Sequence, residues 1–296
     1  VGAVKLPYGN VGSMRSYGSD GNISFTQNFG KNNSFTIRGN FTYATNEVKK
    51  WEQPTQKYDY QLYEGKPLNV LRGYISTGLF RDEADVNSSL KQFGTVRPGD
   101  IKYKDVNGDG VINTEDQVPI SYSPMPRLMY GFGGELKIKD FTFNVLFRGT
   151  GKTNFFYGGN GYIPFYGGET GNVLSIAADQ RNRWTPASYS GDPSTERQDV
   201  RFPRLSYGYN ENNSQPSSFW LADGRYLRLQ ELSVSYNLRT KALKQYLGVS
   251  SLDIQLIGYN LCVWDKVKLW DPEIASENGT EYPIPARFAL QLYVNF

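Results

Sequence analysis

Histidine is absent from this 296-residue chain, cysteine occurs once and methionine three times. Without histidine, the commonest general base and transition-metal ligand is missing. The lone Cys262 permits no internal disulfide, which argues against a small disulfide-stapled module. Long apolar runs are missing as well: nothing approaches the ~18 residues a membrane helix needs. That excludes a helical membrane protein but leaves barrels open, because only alternate residues of a barrel strand face lipid. There is no basic stripe, since 32 Lys and Arg are well mixed with 29 Asp and Glu for a net charge of +3, and so nothing points to nucleic acid. The residues from Val1 onward carry no signal peptide, so export would require a preceding segment.

Aromatic residues are abundant, with 22 Tyr and 17 Phe, which suits interfacial girdles or sugar-stacking surfaces. Several stretches alternate with the period of a strand. At the end of the chain Phe288, Leu290, Leu292, Val294 and Phe296 fall on one side, and Ala289, Gln291, Tyr293 and Asn295 on the other. Eight residues at ~3.3 Å each give roughly 26 Å, close to the ~25 Å apolar band of an outer-membrane barrel. In 34–46, Phe35, Ile37, Gly39, Phe41 and Tyr43 oppose Thr36, Arg38, Asn40 and Thr42; a mid-strand Arg on a polar face implies water there. The clearest hairpin joins 128–138 to 141–148 through Lys139 and Asp140. Further strands are expected at 22–29, 58–63, 70–80, 226–237 and 252–261, about nine in all. Parity slips around Gln230 and Glu231, which predicts a bulge. Thr240 caps a brief helical turn stopped by Gly248.

If the last strand runs toward the periplasm, antiparallel order assigns a side to every connection. The turns at 30–33, 64–69, 139–140 and 238–250 then share one side. The excursions at about 47–57, 81–127, 149–224 and 262–285 share the other. Short turns on one rim and long loops on the other mark a bacterial outer-membrane barrel. The expected fold is therefore all-β: an antiparallel transmembrane β-barrel, here a partial C-terminal segment of about nine strands with long extracellular loops. Residues 1–296 form one unit of it. The competing reading is a secreted calcium-dependent carbohydrate-binding β domain.

The first long excursion contains a calcium-loop pattern. Asp105, Asn107 and Asp109 stand at loop positions 1, 3 and 5, Gly110 at 6, the Val111 carbonyl at 7, Asn113 at 9 and Asp116 at 12. Ca²⁺ takes six to eight oxygens at ~2.4 Å, and the chain must turn sharply at Gly110 to supply them. Asp116 replaces the usual Glu and flanking helices are not evident, so a bound Ca²⁺ would be structural, stiffening the loop. Asx-Gly turns of similar composition are the alternative. Tyr157, Tyr162, Phe165, Tyr166, Trp184 and Trp220 in the second excursion are candidates for stacking on sugar rings. Asp82, Glu83 and Asp85 are carboxylates in a polar loop with nothing visible to raise a pKa, so no catalytic pair is expected, nor an enzyme.

Gly99-Asp-Ile-Lys-Tyr-Lys-Asp-Val-Asn-Gly-Asp-Gly110, Pro124-Met-Pro-Arg127 leading to Tyr130-Gly131, Arg183-Trp-Thr-Pro186, Phe202-Pro-Arg-Leu205, Phe219-Trp-Leu-Ala-Asp-Gly-Arg-Tyr-Leu-Arg-Leu229, Tyr259-Asn-Leu261, Trp270-Asp-Pro-Glu273 and the terminal Phe296 together resemble the SusC/RagA family of TonB-dependent outer-membrane transporters of Bacteroidetes. Cys262-Val-Trp264 stands where a polar turn is expected and Val294 where the assembly signal often has Tyr. The resemblance implies a barrel of roughly 22 strands with a plugged lumen, energised by TonB. A SusD-like surface lipoprotein would capture glycans or peptides for it. Plug, TonB box and partner-binding N-terminus are not among these residues. The partners implied are outer-membrane lipid, TonB, the lipoprotein and the cargo.

Overall fold

The computed structural model describes residues 12–168 and 171–296. Seven strands build one antiparallel sheet, the wall: β1 (Gly12–Phe29), β2 (Asn33–Trp51), β7 (Leu128–Ile138), β8 (Phe141–Gly151), β11 (Tyr226–Leu238), β12 (Ser251–Asp265) and β13 (Arg287–Asn295), hydrogen-bonded in that order. Three two-stranded ribbons lie in the excursions: β3 (Leu71–Gly73) with β6 (Val118–Ser121), β4 (Ser76–Leu79) with β5 (Ile101–Tyr103), and β9 (Asn154–Phe156) with β10 (Leu221–Asp223).

The register carries the period-2 pattern straight across the wall. Phe35, Leu136, Phe143, Val234, Leu256 and Leu290 are successive partners on β2, β7, β8, β11, β12 and β13. An adjacent row on the other face runs Ser34, Lys137, Thr142, Ser235, Gln255 and Gln291. One row is wholly apolar and the other wholly polar. The apolar row is not covered by the chain, as Leu256 at 57% and Leu290 at 66% exposure illustrate. Burying such a side chain is worth about 1.5–3 kcal/mol, so a contiguous uncovered face of this kind calls for a non-aqueous neighbour. Phe132 stacks on Phe147 at 5.1 Å and Phe141 meets Tyr236, tilted, at 4.6 Å along it.

The expected count of about nine wall strands is corrected to seven among the described residues. Residues 58–63 form a single 3-10 turn, Asp59–Gln61, whose carbonyls accept from Lys66 Nζ and the Arg72 guanidinium. Residues 70–80 split into β3 and β4, of three and four residues. Four residues reach roughly 13 Å, half of the apolar band. Their apolar residues serve another body: Tyr74, Leu79 and Phe80 are buried within the excursions. Removing two consecutive strands leaves the side of every other strand unchanged. Short links 30–32, 139–140 and 239–250 still share one rim, and long links 52–127, 152–225 and 266–286 the other.

The local expectations hold elsewhere. Register shifts between Leu229 and Glu231 on both flanks of β11: against β8 Gln230 is the extra residue of a bulge, and against β12 it stands opposite two residues, Asn260 and Leu261. Thr240 accepts the N–H of Leu243, and Gly248 ends the helix Lys241–Leu247 in the left-handed region at φ 67.

Candidate functional site

The long links are not loose. Tyr74, Ile101, Tyr103, Tyr162, Trp184, Phe202 and Trp220 pack into one core drawn from the first two excursions, with Trp270 of the third against it. Backbone of the first excursion is finished by side chains of the second. Asn213 Oδ1 accepts from Ile101 N at 2.9 Å, and Asn212 Nδ2 donates to Ile101 O at 2.7 Å. Asp100 is fully buried, and burial pushes its carboxyl above the ordinary range while Arg97 N and Asn213 Nδ2 donate to it at 2.8 and 2.7 Å. The Gly99-Asp100, Phe202-Pro203 and Phe219-Trp220 stretches, far apart in sequence, thus meet at this core.

Two ion pairs pin the third excursion to the polar face of the wall. Arg228 of β11, 2% exposed, donates through Nη2 to both oxygens of Asp271 at 2.5 and 2.6 Å. Arg148 of β8 pairs with Glu273, which also lies 3.5 Å from Arg228. The Trp270-Asp-Pro-Glu273 stretch is therefore a hook, with its ring in the excursion core and its carboxylates on the wall. Arg38 donates to Asn144 at 2.7 Å and Asn144 to Glu231 at 2.9 Å across the same polar face.

The six aromatic candidates divide. Tyr162, Trp184 and Trp220 are 2%, 1% and 2% exposed, so they cannot offer a ring face to a sugar, and the stacking role expected for them is corrected to core packing. Tyr157 stacks on Tyr162 at 4.4 Å beneath the guanidinium of Arg201. Phe165 and Tyr166 meet Tyr207 and Tyr209, which are 71% and 60% exposed and were not singled out from sequence. The signal was available: both sit among Ser, Gly and Asn, a composition that leaves large rings uncovered.

Residues 105–116 turn as the spacing predicts, with Gly108 and Gly110 at φ 76 and 86. The expected ligand oxygens accept backbone N–H groups. Asp105 takes those of Gly108 and Gly110 at 2.7 and 2.9 Å, and Asn107, Asp109 and Asn113 take those of Asp109, Val111 and Glu115. Buried Asp116 accepts from Val106 and Asn113 at 2.7 and 2.9 Å. The amide of Asn107 bridges Asp109 and Glu115 at 3.0 and 3.3 Å. Among the described residues no three acidic, Cys or His groups are placed to hold a metal. Donor types and order fit Ca²⁺, while their arrangement closes the turn by hydrogen bonds alone.

The acidic run before it is structural. Asp82 caps the helix Glu83–Ser88 by accepting from Asp85 N at 2.7 Å. Asp85 is held below its ordinary value of 3.8 first by the hydrogen bond from Lys102 Nζ at 2.7 Å and then by Arg81 N. A depressed pKa contributes stability that is present above the unfolded value and lost as pH falls through the folded one. Proteolysis of the first excursion should therefore accelerate below about pH 4, and Asp85→Asn should flatten that rise; identical pH profiles for both proteins would refute the assignment.

No family model matches the chain. Three curated proteins of Formosa agariphila do. TonB-dependent receptor P26 is 30% identical over 249 residues, 80% of this chain and 23% of its own length. TonB-dependent receptor P3 is 25% identical over 91% of this chain and 26% of its own length, and P39 is 19% identical over 97% and 31%. The chain thus spans about a quarter to a third of the curated relatives it matches. Among solved structures, the RagAB peptide transporter superposes with TM-score 0.71 at 20% identity over 97% of this chain and 29% of the other. The RagAB peptide importer in its closed-closed state gives 0.69 at 22%, over 97% and 30%. Its fold is therefore that of TonB-dependent transporters, antiparallel β without a membrane-crossing helix among the described residues. Within that class the chain is similar in sequence to a portion of the curated TonB-dependent receptors and similar in fold to the RagAB transporter. The relatives are receptors and transporters, not enzymes.

Proposed function

We propose that this chain forms part of the barrel wall and external loops of an outer-membrane, TonB-dependent importer that takes up oligosaccharides or peptides together with a SusD-like surface lipoprotein. The observation that carries the reading is the two-faced wall, apolar and uncovered on one side and polar on the other, with all long links at one rim. The apolar face meets lipid and the polar face lines the lumen. The packed excursions then stand outside the cell as a rigid body, tied to the wall by the Arg228 and Arg148 pairs, against which cargo and lipoprotein settle. TonB supplies the energy.

Topology is tested on intact cells in a Cys262→Ser background, because Cys262 is itself exposed. A membrane-impermeant thiol reagent should label Tyr189→Cys in the second excursion and spare Lys139→Cys in the short β7–β8 turn. The reverse pattern would sink the proposal.

Calcium belongs to the same proposal as a stiffener of 105–116, the Asn107 amide being the group an ion would displace between Asp109 and Glu115. Chelation should speed proteolytic cleavage within 105–116, and added Ca²⁺ should restore resistance. An unchanged cleavage rate would leave the hydrogen bonds as the only stiffener.

A further inference from the structure

Of the three links on the short rim, 239–250 is the longest, although neighbouring strands are joined by two residues at 139–140. Most of it is the helix Lys241–Leu247. At about 100° per residue, Ala242, Leu243, Tyr246 and Leu247 fall within an arc of roughly 140°, and Lys241, Lys244 and Gln245 within the opposite one. The apolar stripe is left largely uncovered: Tyr246 is 80% and Leu247 66% exposed, and only Leu243 is half-buried. No carboxylate occurs between Leu238 and Leu252, and among the described residues neither Lys241 nor Lys244 has an ion pair. The nearest acid, Asp253, is on the polar face and engaged by Asn237 and Asn295.

The helix adjoins the apolar face of the wall. Leu238, Leu252 and Val294 are successive partners in the last row of that face on this rim, and the helix hangs between the first two. Val249 is buried and Ser250 N donates to Asn295 O at 2.7 Å, which fixes the helix exit beside the end of β13. The polar face has its own recess at the same rim, lined by Asn237, Arg239 and Asp253 but by no residue of 240–250, so the helix does not roof it. A tyrosine and a leucine in the open, beside two unpaired lysines and continuous with an apolar row, match the edge of a bilayer. There the ring and the leucine chain enter the acyl boundary while the lysine stems reach back to the phosphates.

We propose that 240–250 is an interfacial foot: the helix lies in the headgroup layer of the periplasmic leaflet, with Tyr246 and Leu247 among the acyl chains and an anionic phospholipid headgroup on Lys241 and Lys244. The two lysines are three apart and therefore neighbours on the helix surface, able to share one phosphate. The inference rests on the reading of the apolar face as the lipid side of the wall. The test uses the full-length receptor in lipid nanodiscs, with every cysteine replaced by serine except one introduced at Leu247→Cys or at Leu256→Cys and carrying a fluorophore. The discs contain phosphatidylcholine and phosphatidylglycerol in equal parts, one of the two bearing a nitroxide on the acyl chain near the headgroup.

The nitroxide lipid should quench the label at 247, which aqueous iodide should not reach. Quenching at 247 should be about twofold stronger or more when the nitroxide is on phosphatidylglycerol. Lys241→Gln combined with Lys244→Gln, both on the exposed arc, should abolish that excess and leave the label in lipid. A label at 247 quenched by iodide and not by lipid would overturn the foot, and a label reached by neither quencher would do the same by showing that protein covers the stripe. Equal quenching by the two lipids, or an excess that survives the double substitution, would overturn the anionic headgroup site. Position 256, in the middle of the apolar face, separates the two readings. Loss of lipid quenching there would remove the lipid side of the wall itself, whereas quenching at 256 without quenching at 247 would remove the foot alone.

Discussion

Gly99→Val is expected to loosen the excursion core by about 2–5 kcal/mol while leaving the wall assembled. Gly99 sits at φ 88, and a Cβ there would lie 2.2 Å from Cε3 of Trp184. The left-handed backbone costs a β-carbon residue ~1–2 kcal/mol, and overpacking a filled core ~1–3 kcal/mol more. Arg204 N donates to Gly99 O at 2.8 Å, so a shift of this turn also pulls on the second excursion. Gly110→Ala is the internal control: its φ is 86, but nothing lies within 4 Å of the added carbon, so only the backbone part is expected. Limited proteolysis should cut the excursions of Gly99→Val far faster than those of Gly110→Ala. Equal rates would mean that Trp184 yields without cost and that the core is not the rigid body described.

Arg228→Ala should release the third excursion from the wall. Arg228 is 2% exposed and its partner Asp271 has a side chain only 10% exposed, so the substitution leaves a carboxylate facing a cavity with only the N–H of Glu273, at 3.0 Å, to compensate it. Breaking a buried pair from one side costs about 3–5 kcal/mol. Hydrogen exchange across 266–286 should rise by the corresponding factor of about 10²–10⁴. Arg228→Met combined with Asp271→Leu should recover much of the protection, because the charge left unpaired disappears with its partner. If the double variant is no better protected than Arg228→Ala, the hook is held by the packing of Trp270 and not by the ion pair.

Wherever structure is decided within a few residues, the sequence was a sufficient guide. Thr240 caps the short helix that Gly248 stops at φ 67, and only glycine takes that φ cheaply. The parity slip at Gln230 became a bulge against β8 because an inserted residue turns every later side chain to the opposite face. Asp105, Asn107 and Asp109 formed their turns by bonding N–H groups two to five residues away. Misassigned features depended on what lay opposite. Tyr74 and Leu79 lie in a run of strand-like composition, and nothing in that composition reveals that they join a core with Trp220 and Trp184 and do not face lipid. Trp184 and Tyr162 have the residue type of a sugar platform, and burial alone removed them from that role.

By itself the sequence determined the two faces of the wall, the sorting of short and long links between its rims, the helix caps and the Gly-dependent turns. Each follows from the local geometry of the backbone, a period of two along a strand or a left-handed φ at a single residue. Only the tertiary structure decided that two apparent strands belong to the excursions and that three long links form one core. It also decided that Arg228 and Arg148 meet Asp271 and Glu273 from more than forty residues away in sequence. Periodicity says which side of a strand is apolar. Which body covers that side is settled by contacts between distant segments, and those exist only once the chain has closed upon itself.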